Sequence, residues 1–242
     1  LVGIALIGLW ISRRYVLPRM RLGYDDAYVA AAVVQSVMML YGLIAALTAV
    51  GVWQRYNDVS SVVSSEATAI ATLWRDTGGY PEPMRGETRK VLVGYSEQIV
   101  NDAWPTQARG EIPSVGVEWM NRFQALIYSF EPVTEAQKIL HAETISAFNN
   151  LVQQRRQRLD SVHAALPSVM WWVLLPGAMG CLLLCLFFHV PNVYLHGVML
   201  IGLAGFLSMV LFVIITLDRP FTGEMGIPAD SFQLIIDHHM KP

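Results

Sequence analysis

Hydrophobic and polar positions are segregated along this chain. Ala27 to Trp53 holds no charged residue, and only Gln35, Ser36 and Thr48 interrupt its apolar run. Pro167 to Phe188 and Val193 to Leu217 are also free of Asp, Glu, Lys and Arg. A helix needs about 20 apolar residues to cross the hydrocarbon core, so each of these segments predicts a membrane span. At 1.5 Å per residue the first of them is about 40 Å long, which requires tilt or projection beyond the core. Leu1 to Ile11 is apolar but too short to cross alone. Its arginines, Arg13, Arg14, Arg19 and Arg21, follow the apolar run, whereas a signal peptide has its basic residues first. It therefore reads as the end of a truncated span, and the expected total is four.

Aromatic and turn residues agree with these limits. Tyr24, Tyr28 and Trp53 fall at the ends of the second span, and Trp171 and Trp172 near the start of the third, where amphipathic rings favour the interface. Pro167 suits a helix start, while Pro176 inside the third span removes a backbone donor and predicts a kink. His189 to Asn192 reads as a tight turn. Gly202, Ala204, Gly205 and Ser208 in the fourth span are small enough for close backbone approach. Asp218-Arg219-Pro220 ends that span.

Between the second and third spans, the apolar pattern changes to that of amphipathic helices. Val59, Val62, Val63, Ala67, Ile70, Leu73 and Trp74 recur at steps of three and four. No breaker separates Trp53 from Asp76, so the second span is expected to continue as one helix until Gly78-Gly79-Tyr80-Pro81 stops it. A second helix is expected over 83–104, with Val91, Leu92, Tyr95, Ile99 and Val100 as its buried stripe, followed by a loop over 105–113. A third fits 114–130, carrying Trp119, Phe123, Leu126 and Ile127. A fourth begins at Glu131-Pro132 and runs to about Ala165 through Ile139, Leu140, Ile145, Phe148, Leu151 and Leu159, then feeds into the third span. No segment alternates as a strand does. The expectation is an all-α, four-span membrane protein: residues 1–53 hold the first two spans, 54–166 an extramembrane helical domain, 167–217 the last two spans and 218–242 a tail.

Composition fits this division. Of the 242 residues, 54% are hydrophobic and 15% charged, and a formal net charge of −2 gives no sign of a nucleic-acid surface. Cys181 and Cys185 lie four apart in an apolar run, where small buried side chains are expected rather than a disulfide. No metalloprotease helix, phosphate loop, paired-cysteine motif or nucleophile elbow is present, so neither enzyme chemistry nor a cofactor is expected. Asp237-His238-His239 reads as a solvated tail, and His189 and His196 are too isolated for a metal site. The arginines of the first short loop favour the large domain outside the cytoplasm, although Arg55, Arg155, Arg156, Arg158 and Arg219 flank the spans on the domain side.

Several motifs occur in a recognisable order. They are Arg13-Arg14-Tyr15-Val16-Leu17-Pro18-Arg19, the run Tyr41 to Asp58, Val63-Ser64-Ser65-Glu66-Ala67, Leu73-Trp74-Arg75, Tyr80-Pro81-Glu82-Pro83, the helix Arg89 to Tyr95, Trp104-Pro105, and Leu217-Asp218-Arg219-Pro220-Phe221. In order and spacing this resembles the bestrophin-like family of bacterial membrane proteins, over essentially the whole chain. The resemblance implies a four-span protein of the bacterial inner (plasma) membrane, akin to the pentameric anion channels called bestrophins. Those place their large domain in the cytoplasm, opposite to the arginine count.

On that reading Gln35, Tyr41, Ala45 and Thr48 are candidates to line a pore, with the slim helix around Gly42 and Ala46 forming a hydrophobic constriction. The same features serve equally as helix-packing contacts. Asn57, Asp58, Glu66, Asp218 and Arg219 are candidates for charge at the pore mouth, repeated around a homo-oligomer. The alternatives are a solvated face with pairs such as Arg55 with Asp58, a structural cap at Asp218, or its ion pair with Arg55 or Arg75. The expected partners are the lipid bilayer, further copies of the chain and small inorganic ions. The rival reading is a membrane-anchored module whose helical domain recognises a partner.

Overall fold

The computed structural model describes residues 1–16, 24–114, 116–188 and 190–240, with the side chains of 24–27 excepted. Leu17, Pro18, Arg19, Arg21 and His189 therefore lie outside the described residues. Every regular element among those described is helical: α1 (Val2–Ile11), α2 (Tyr24–Thr77), α3 (Met84–Gln98), α4 (Trp104–Ala108), α5 (Val117–Ser129), α6 (Glu135–Ser161), α7 (Ser168–Leu186), α8 (Val193–Asp218) and α9 (Asp230–Ile235). α2, α7 and α8 are long and apolar enough to cross a membrane. As its unbroken pattern requires, α2 is one helix of 54 residues.

The chain divides into two compact units, Leu1–Gln54 with Ala165–Asp218, and Arg55–Ala164 with Arg219–Pro242. In the first, α1 packs on α7 and α8. Tyr41, Ala45 and Val52 of α2 join Leu174, Ala178, Leu182, Ala204, Leu207 and Leu211 in its core. Two glycines permit the tightest packing. A Cβ on Gly177 would lie 2.6 Å from the Tyr41 ring, and one on Gly8 would lie 2.6 Å from Leu186 Cδ1. Gly202 and Gly205 have open space where a Cβ would be, so the close approach expected there is not made within the chain.

The ends of the last two spans are capped by side chains. Asn192 Oδ1 accepts from the Tyr194 and Leu195 amides at 3.0 and 3.2 Å, which starts α8. Asp218 Oδ1 accepts from the Leu166 amide at 2.6 Å. α6 does not feed directly into α7: Leu166 precedes Pro167, whose ring disfavours the helical conformation at its neighbour, and Pro167 itself is extended at ψ 137°.

In the second unit, Val59, Val63, Ala67, Ile70 and Leu73 of α2 pack with Val91, Leu92 and Tyr95 of α3, Phe123 and Ile127 of α5, and Phe148 and Leu151 of α6. The helix expected over 83–104 is longer and less regular. A wider π-type turn, Ile99–Ala103, follows α3, and α4 then runs through Pro105 where a loop was expected. Pro105 is tolerated because it stands in the first turn, where no backbone donor is required. α6 begins at Glu135 rather than at Glu131-Pro132. Thr134 caps it by accepting from the Gln137 amide, and Gln137 reaches back to the Thr134 amide. Ile139, read as part of the apolar stripe, is 72% exposed.

The segment after Asp218, expected as a tail, is packed into this unit. Phe221, Ile227, Phe232, Ile235, Ile236 and Met240 all enter its core. Asp237, His238 and His239 are exposed on the outside of that last turn.

Candidate functional site

Two features stand out, one in each unit. The first is the face of α2 that the rest of the chain leaves open among the described residues. Tyr41, Ala45 and Thr48 turn inward and are 7%, 4% and 6% exposed. Tyr41 Oη donates to the Leu174 carbonyl at 3.1 Å, and Thr48 Oγ1 to the Ile44 carbonyl at 2.8 Å. Three of the four residues considered for a pore thus belong to the chain's own helix seam, where Tyr41 rests against Gly177. Gln35 is exposed. At 100° per residue the face opposite that seam carries Ser36, Met39, Leu43, Val50 and Gln54, all exposed. The row is polar at both ends and apolar between them.

The second feature is a buried charge cluster in the unit beginning at Arg55. Glu66 of α2 is 0% exposed and Arg158 of α6 is 1% exposed. Arg158 Nε donates to Glu66 Oε2 at 2.6 Å and its Nη2 to Glu66 Oε1 at 3.2 Å, forming a two-point fork. Tyr95 Oη of α3 donates to Glu66 Oε1 at 2.9 Å, and Arg158 Nη1 donates to Gln107 Oε1 of α4 at 2.8 Å. The guanidinium carbon lies 5.7 Å from the Trp104 ring centre and 6.0 Å from that of Phe232, within cation–π range. Trp104 Nε1 donates to the Ile227 carbonyl at 3.0 Å. One ion pair therefore fastens α2, α3, α4, α6 and α9 together.

Burial raises the Tyr95 phenol well above its usual range, and the Glu66 carboxylate beside it acts in the same direction, so it remains a donor. For Arg158 burial opposes the charge, but Glu66 and Tyr95 together outweigh burial and the guanidinium's pKa is raised. Glu66, considered above for a pore mouth, is thus a core ion-pair residue. Of the other mouth candidates, Asn57, Asp58 and Arg219 are exposed, whereas Asp218 is buried as the cap on Leu166. Neither Arg158 nor Gln107 was singled out by sequence reasoning as a cluster member. A signal was present: Glu66 falls in the stripe Val59, Val63, Ile70, and Arg158 in the stripe Thr144, Phe148, Leu151, so two apolar faces each carry one charge, of opposite sign.

Comparison with known proteins supplies the family. The model of the Bestrophin-like domain matches residues 1–232. The chain belongs to the Bestrophin-like family. No curated protein matches its sequence. The fold of this Bestrophin-like chain is also found in crystal structures. A bacterial Bestrophin homolog from Klebsiella pneumoniae carrying a point mutation is 11% identical, with a TM-score of 0.73 over 99% of this chain and 94% of that one. Another mutant of the Klebsiella pneumoniae homolog gives 12% identity and a TM-score of 0.70, covering 100% and 96%. A mutant described only as a membrane protein reaches a TM-score of 0.75 at 11% identity, covering 99% and 94%. The likeness is one of fold, and this chain is a helical membrane protein of that fold.

Proposed function

We propose that this Bestrophin-like chain is one subunit of a symmetric oligomer that conducts ions passively through a pore lined by the second span. The observation that carries the reading is the open row on α2, with Ser36 at one end, Met39, Leu43 and Val50 in the middle and Gln54 at the other end, all exposed in the single protomer. A ring of copies turning this row to its axis has polar entrances and a narrow apolar neck. Such a neck gates by dewetting: ions pass when water fills it and stop when it dries. Gln35 borders this row. Asn57 and Asp58, both exposed, then repeat once per subunit and bias the ions admitted. No bond is made or broken, and the driving force is the electrochemical gradient.

The reading places the second unit in the cytoplasm, as kinship with bestrophins implies. The opposing arginine count is balanced by Arg55, Arg155, Arg156 and Arg219, which lie near the span ends on the domain side.

Purified protein in liposomes tests the proposal. Ion flux above a heat-inactivated control is expected, with Leu43→Ser raising it severalfold by wetting the neck and Leu43→Trp reducing it. A monomer or closed dimer without flux supports the anchored binding module instead.

A further inference from the structure

A groove of ≈ 340 Å³ lies at the end of α1, lined by Leu6, Leu9, Trp10, Arg13, Arg14 and Val193. Its composition is unusual for a membrane helix surface. Three aliphatic side chains, an indole and two guanidiniums line it, and no carboxylate is among the described lining residues. Arg13 is held in place at this end: its Nη2 donates to the Val190 carbonyl, in the turn before α8. Its Nε is buried with no partner. Arg14 is exposed. Trp10 meets Tyr15 edge to face at 6.3 Å, the kind of aromatic pair that marks a membrane–water interface. Ser12 Oγ donates to the Leu186 carbonyl at 2.8 Å, so the turn that carries both arginines is pinned to α7.

We propose that this groove binds an anionic phospholipid, with an acyl chain along Leu6, Leu9 and Val193 and the phosphate on Arg13 and Arg14. The argument is charge complementarity joined to depth. An acyl chain alone has no need of guanidiniums, and among the described residues no carboxylate pairs with either arginine bordering this apolar surface. A phosphodiester supplies one, accepting from Arg14 and from the donors that Arg13 leaves free after its bond to Val190. Zwitterionic lipid fills the apolar surface equally well, but its choline repels the guanidiniums. The bound lipid would bridge α1 and α8.

Native mass spectrometry of the full-length protein, titrated with phosphatidylglycerol or phosphatidylcholine of matched chains, tests this site. Phosphatidylglycerol is expected to bind more tightly. Arg14→Gln, which removes an exposed side chain with no hydrogen bond among the described residues, is expected to weaken phosphatidylglycerol about fivefold and leave phosphatidylcholine unchanged. Arg13→Lys keeps the charge and is expected to retain most of the preference, while Arg13→Gln with Arg14→Gln abolishes it. Equal affinity for the two lipids overturns the proposal, as does a preference that survives the double variant. Displacement of the lipid by millimolar inorganic phosphate identifies an anion site without an acyl component, and also overturns it. None of these readouts depends on ion flux.

Discussion

At the scale of single residues, charge placement is the most informative property of this chain. Arg158 and Glu66 are both removed from water, so each is tolerable only with the other present. Replacing Arg158 by Met leaves a buried carboxylate without its counterion and is expected to cost about 3–5 kcal/mol, while Arg158→Met combined with Glu66→Leu recovers much of the loss. Thermal unfolding of the detergent-solubilised protein checks this, and a double variant no more stable than Arg158→Met refutes it. Asp76 is the opposite case. Burial raises its carboxyl above the ordinary value, Glu143 adds to the rise and Arg75 works against it. Its position in the last turn of α2, at the negative end of the helix dipole, is also unfavourable for a carboxylate. A carboxyl raised in the folded state binds its proton more tightly there than in the unfolded chain. Its ionisation therefore removes stability as pH rises from the ordinary carboxylate range through the raised value, and the deficit persists above it. Asp76→Asn is expected to raise the melting temperature at neutral pH, with the gain shrinking as pH falls toward about 4. An equal gain at all pH values would assign the effect to something other than this charge.

At the scale of elements, steric fit and capping decide where helices lie. Gly177 lets the Tyr41 ring rest on α7, where its hydroxyl reaches the Leu174 carbonyl. Gly177→Ala would place a methyl 2.6 Å from that ring, and the seam has to open. The expected cost is about 1–3 kcal/mol, relieved when Tyr41→Leu is added. A loss of thermal stability that the second substitution does not reduce would show that the contact is unimportant. Helix type and approximate extent were legible from periodicity: α2 runs unbroken to Thr77, where the glycine pair follows. Element boundaries were less so. Pro105 looks like a breaker and is not, since a first-turn proline lacks only a donor that the helix does not use. Conversely, the run from Leu151 through Leu159 looked continuous with the third span, and the local cost of a residue before Pro167 interrupts it.

At the scale of the whole molecule, the proposed sidedness has a direct test. With the second unit in the cytoplasm, a single cysteine at exposed Glu224, in a background with Cys181 and Cys185 replaced by Ala, is expected to react with an impermeant maleimide only after cells are permeabilised. Labelling of intact cells would reverse the orientation and vindicate the arginines of the first loop. Asp237, His238 and His239 face solvent as expected of the terminal turn, while six apolar residues between Phe221 and Met240 complete the core of the second unit.

The sequence by itself determined which solvent each segment meets and that the regular elements among the described residues are helices. Both are local properties: charge-free runs exclude water over their own length, and helical periodicity is set by neighbours three and four residues away. Tertiary structure alone decided which face of the second span stays open, which of several carboxylates is buried, and what the C-terminal segment covers. Glu66 and Arg158 are 92 positions apart, and their pairing depends on how three other helices exclude water around them. Tyr41 looks like a pore aromatic until α7 offers it a glycine. These are relations between distant parts of the chain, and they exist only once the helices have packed.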